Sequence, residues 1–250
     1  MESKKIKKGL KIIILSALFH CFGASLVLFR VNPVIINFNL FYHLLAFFSW
    51  WSVHTSILTV LASIMIFTTR KKSNWFTQFI VFLAAIYNLI TFGFCFVYLV
   101  FLNRLNFGYN KSMLTNLQLI SWHFIAPILA LYYYYFFAQI EELRKKLAKT
   151  FFFTLVFPIL YFFFVYFLSC FFDLEIKNNL TYHLVKKYPY FIFEWVVERS
   201  WLVASFLIAS FTLLFLSSLL IWTKILISKK RKNFLNRKCV RAAEGTALER

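Results

Sequence analysis

The chain has 250 residues, is 61% hydrophobic and carries a formal net charge of +19. Soluble domains are roughly half apolar. Here the excess lies in long runs and mean hydropathy is +0.72, which excludes an ordinary soluble domain and places the chain in the membrane class. The positive charge sits in short clusters between those runs, so anionic membrane lipids rather than nucleic acid are the expected partners.

A helix crosses hydrocarbon with roughly twenty apolar residues. Six runs qualify, at about 9–30, 44–67, 75–102, 115–138, 151–172 and 201–227. They are continuous and do not alternate, which predicts helices rather than a barrel. The expectation is an all-α integral membrane protein, a six-helix bundle over residues 1–240. The first run imitates a signal peptide but continues to Phe29 with no small-x-small cleavage site, so it reads as the first crossing. Lysines and arginines crowd the N-terminus (Lys4 to Lys11), "TTRKKSNW", "EELRKKLAK" and "SKKRKNFLNRK". The positive-inside rule puts those four segments in the cytoplasm and hence both termini there. The Phe, Lys, Ile and Asn bias suggests an AT-rich genome, and the expected location is a bacterial cell membrane. The last residues, "AAEGTALER", break that style, and 241–250 reads as a disordered tail or a cloning remnant. Asn110 and Asn179 fit the glycosylation pattern on predicted outer connections.

In span two, Ser52, Thr55, Ser56, Thr59, Ala62 and Ser63 form one helical stripe. Such a stripe serves packing, with hydroxyls bonded to carbonyls of the preceding turn. His54 points away from its centre. In span three, Asn88 is an interhelical hydrogen bonder or an oxyanion donor. Span four carries His123 and, four residues on, Pro127. A histidine inside a span usually faces the bundle interior. Proline has no N–H for the carbonyl of residue 123, so a bend is expected there.

Spans two and four run in the same direction. From the predicted span starts, Thr55 and His123 differ in depth by about 5 Å at the helical rise. A threonine hydroxyl and a neutral imidazole at similar depth can form a nucleophile–base pair. No carboxylate lies in any predicted span, so no Ser-His-Asp set is visible. Cys21, Cys95, Cys170 and Cys239 lack metal-ligand spacing and read as buried thiols, and no cofactor motif occurs.

"HTSILT" in span two, "HFIAP" in span four and "YPYFIFE" before span six, within six spans, resemble the androgen-induced and androgen-dependent membrane hydrolases and their bacterial six-span relatives. That resemblance implies a hydrolase of fatty acid esters of hydroxy fatty acids, with Thr55 as nucleophile and His123 as base. Ser52, Thr59, Asn88, Tyr188 and Tyr190 are then the expected substrate or oxyanion contacts. Bacterial relatives usually carry asparagine four residues after the threonine, where this chain has Thr59. Their Tyr-Pro-Tyr commonly continues Pro-Phe-Leu-Asp, where this chain has Phe191 to Glu194. Two other classes stay open: a small transporter or channel using His20, His54, His123 and Asn88, and a non-catalytic lipid-binding protein. Transport sites commonly use acidic residues and glycine-broken helices, which these spans lack.

Overall fold

The computed structural model describes residues 2–30, 51–69, 74–100, 113–178 and 211–229. Among them the chain is almost entirely helical. Helix α1 is Glu2–Arg30, α2 Trp51–Thr69 and α3 Trp75–Val100. Helix α4, Met113–Ile120, passes through a π turn at Ser121–Ile125 into α5, Ala126–Phe136. A short α6, Glu141–Lys145, precedes the long α7, Leu147–Asn178. Helix α8 covers Phe211–Lys229.

Five helical stretches are long and apolar enough to cross a membrane: Ile6–Ser25, Trp51–Thr69, Trp75–Gly93, Asn116–Phe136 and Phe211–Lys229. They fit a multi-pass membrane protein, because a helix satisfies its own backbone where water is absent. The predicted fifth crossing falls on α7, whose apolar part here is the shorter Leu147–Tyr161. Tyr188, Tyr190, Cys239, the tail 241–250 and the asparagines 110 and 179 of the connections lie outside the described residues.

Helix α3 is the hub. Every residue from Thr77 to Asn88 is buried, so this stretch has no face left for lipid. Helices α1, α2, α3 and α5 form a ring in which each packs on its two neighbours: α1 on α2, α2 on α3, α3 on α5 and α5 on α1. The seams are mainly apolar, with Ile13, Leu58, Ala62, Phe82, Ile86, Ala130 and Tyr134 in one continuous core. Large side chains such as Leu18, Ile64, Ile128 and Phe215 remain exposed on the outside, as a lipid solvent would require.

The break expected at Pro127 takes the form of the π turn. Pro127 lies in the first turn of α5, and the Ala126 N–H reaches back five residues to the Ser121 carbonyl. The Ala126 carbonyl accepts a 2.7 Å bond from Ser16 Oγ, which ties the broken helix to α1. Two glycines of α1 let it sit close. A Cβ on Gly9 would come within 2.9 Å of the Phe137 ring, and one on Gly23 within 2.5 Å of Trp122 Cβ.

Helices α7 and α8 flank the ring. Tyr161 of α7 packs edge-on against Trp51 and His54, with ring centroids 5.0 and 5.1 Å apart. Helix α8 is fastened by Lys224, whose Nζ donates to the Tyr134 and Tyr135 carbonyls at 2.7 and 2.6 Å. Those carbonyls belong to the last turn of α5, where a cation completes what the helix cannot satisfy itself. Of the cysteines, Cys95 is buried as expected, whereas Cys21 is exposed on α1 and so corrects the expectation of a buried thiol there.

Gly23→Ala forces Trp122 off its position and should cost about 1–3 kcal/mol, as overpacking does. Gly93 has no atom within 4 Å of the added carbon, so Gly93→Ala should be neutral or stabilising by up to about 1 kcal/mol. Thermal unfolding of both variants in detergent reads the contrast.

Candidate functional site

The interior of the ring is polar where the seams are apolar. His20 of α1 and Asn88 of α3, both fully buried, sit on opposite members of the ring and meet across it. His20 Nε2 lies 2.8 Å from Asn88 Oδ1. Its other nitrogen, Nδ1, lies 3.1 Å from Ser56 Oγ of α2. Trp122, in the π turn, donates its indole N–H to the same Ser56 oxygen at 2.8 Å. The two diagonals of the ring, α1 to α3 and α2 to the π turn, thus share Ser56 and His20.

The α2 stripe supplies the hydroxyls. Ser52, Thr55, Ser56, Thr59, Ala62 and Ser63 are all buried. Four hydroxyls donate to the carbonyl one turn back: Thr55 to Trp51, Ser56 to Ser52, Thr59 to Thr55 and Ser63 to Thr59. This is the packing role the spacing predicts. The same oxygens also face neighbouring helices. Thr55 Oγ1 is 3.0 Å from Thr91 Oγ1 of α3, and Thr59 Oγ1 accepts from Asn88 Nδ2 at 2.9 Å.

His123 meets the stripe one turn above Thr55. Its Nε2 is 3.3 Å from Ser52 Oγ, while Nδ1 is buried with no hydrogen-bond partner. The hydroxyl in contact with this imidazole is therefore Ser52, and Thr55 is bonded to Thr91 and Trp51 instead. Asn88 uses both amide hydrogens, on Thr59 and on the Ala84 carbonyl at 2.8 Å, so it acts here as an interhelical bonder with no donor to spare. His54 stands apart from this centre, packed among Tyr161 and Phe164 of α7.

Sequence reasoning underrated His20, Thr91 and Trp122. A signal was present: Ser16 and His20 are four apart in span one, and Thr91 follows Asn88 by three, so each pair shares a helix face. None of the residues bonded in this network is a carboxylate or a lysine. Among the described residues no three His, Cys, Asp or Glu side chains cluster to hold a metal ion.

No family model, no curated protein and no solved structure matches the chain.

Asn88→Leu leaves the His20 N–H and the Thr59 and Ala84 oxygens without their partner. A loss of about 1–3 kcal/mol is expected, the usual cost of stranding a buried polar group. Adding His20→Phe should recover part of it, because the pair is then removed together. A double-mutant cycle by thermal unfolding measures both steps.

Proposed function

We propose that the chain is an intramembrane hydrolase of fatty acid esters, crossing a bacterial cell membrane six times with both termini in the cytoplasm. The observation that carries the chemistry is the state of His123: one ring nitrogen touches an α2 hydroxyl, and the other is buried and unpartnered. With Nε2 presenting its lone pair to that hydroxyl, Nδ1 carries the hydrogen and can donate it to water or to an oxygen of a bound ester. An imidazole so placed can take the hydroxyl proton during attack on the ester carbonyl and return it to the departing alcohol oxygen. Water then enters, gives a proton to the same ring and releases the fatty acid.

Two hydroxyls compete for the role of nucleophile. Family resemblance favours Thr55, one turn deeper on the same face, and contact distance favours Ser52. The substrate class follows from the family resemblance, a fatty acid ester whose acyl chain would remain in the bilayer. Tyr188 and Tyr190, on the predicted outer connection before the last crossing, and Thr59 would contact that substrate.

Incubation with a long-chain fluorophosphonate, followed by peptide mapping, should find the phosphonate on Ser52 or Thr55. His123→Ala should slow that adduct by about 100-fold, the usual contribution of a general base. An adduct on neither hydroxyl, or one indifferent to His123, removes this pair. Orientation is tested separately on a cysteine-free background. Cysteine at position 110 should react with an impermeant maleimide on intact cells, and cysteine at position 73 only after permeabilisation. The reverse pattern would invert the topology.

A further inference from the structure

The protons of the second imidazole can be assigned from its neighbours alone. The Asn88 amide stands 2.8 Å from the Ala84 carbonyl, which can only accept. The amide atom facing it must therefore be nitrogen, and the atom facing His20 must be oxygen. An amide oxygen also only accepts, so His20 Nε2 carries a hydrogen. In the neutral ring the remaining nitrogen, Nδ1, then presents a lone pair, and what it faces at 3.1 Å is the Ser56 hydroxyl. Ser56 has one hydrogen and two acceptors, His20 Nδ1 and the Ser52 carbonyl at 2.8 Å. Its oxygen also receives the Trp122 N–H.

We infer that Ser56 is a second acylatable hydroxyl of the hydrolase, with His20 as its base and Asn88 as the group that fixes the ring. This rests on the ester-hydrolase reading of the centre but on a different pair of residues. The arrangement has the parts a nucleophile needs: a hydroxyl on an imidazole lone pair, and the far side of that ring held by a third group. It is better oriented than the His123 ring, whose far nitrogen has no partner. In the resting state the Ser56 hydrogen lies on the Ser52 carbonyl; in the reaction it turns to His20. As Ser56 Oγ bonds to the ester carbonyl carbon, its proton passes to Nδ1. The carbon–alkoxide bond then breaks, and that proton leaves on the alcohol. Water, the co-reactant, attacks the acyl-serine through the same nitrogen, and the Ser56 hydrogen is restored. The Trp122 N–H steadies the oxygen while it is without its proton.

Two measurements on the full chain in lipid micelles test this. The first is peptide mapping of wild-type protein after long-chain fluorophosphonate treatment. A phosphonate on Ser56 is expected, slowed about 100-fold in His20→Ala. Adducts confined to Ser52 or Thr55 overturn the inference and leave the hydrolase reading intact, whereas no adduct on any residue removes both. The second needs no variant except for assignment. Nitrogen NMR of ¹⁵N-histidine protein, with His20→Gln identifying the signals, should show His20 protonated at Nε2 and bare at Nδ1. A hydrogen on Nδ1 overturns the role of base.

Discussion

Everything in this bundle depends on one requirement: polar groups among apolar helices must find partners inside the protein. Water meets that need in a soluble domain, but hydrocarbon cannot. The ring of α1, α2, α3 and α5 meets it by sending its polar side chains inward, where His20 and Asn88 span one diagonal and Ser56 and Trp122 the other. Each such bond between membrane helices is worth only about 0.6 kcal/mol on average. Their larger effect is on choice. A helix rotated by one residue would strand several donors at once, so the network selects one packing from the many that the apolar seams would tolerate.

The network is also short of protons, at Ser56 and at Ser63, whose one hydrogen faces both the Thr59 and the Ile13 carbonyls. The α2 hydroxyls each hold one hydrogen, and the carbonyl of the preceding turn claims it. Thr59 resolves this cleanly, donating to its carbonyl and accepting from Asn88. Ser56 does not, because a second acceptor waits on the other side. Structural networks tend to be satisfied throughout. A hydroxyl with competing acceptors, next to a histidine with an unpartnered nitrogen one turn away, is the kind of local imperfection that chemistry uses.

What could be read from the chain and what could not divide along a physical line. The α2 stripe and the break before Pro127 are local: both follow from residues within two turns, through helical periodicity and a missing N–H. Apolar length likewise marked the crossings that the described helices contain. Partner choice is not local. Depth along two helices allowed His123 to approach several α2 hydroxyls, and only the packed bundle gives the contact to Ser52 and leaves Thr55 with Thr91. His20 stood in a segment resembling a leader, with nothing nearby to announce that Asn88, 68 residues on, would hold it. Lys224 falls inside the predicted sixth crossing, and its place against the end of α5 required knowing which helix lay beside α8.

The fit of α1 has a consequence for biogenesis. This helix is first in the chain, yet its inward groups are matched by much later ones: Ser16 by Ala126, His20 by Asn88, Gly23 by the bulk of Trp122. On leaving the ribosome it holds a histidine whose amide partner is made 68 residues later and a serine whose carbonyl partner is made 110 residues later. Its lysine-rich start can anchor it at the headgroups meanwhile, but it cannot settle. The oldest segment of the nascent chain is thus among the last to lock, and a cell must keep it from other proteins' grooves in the interval.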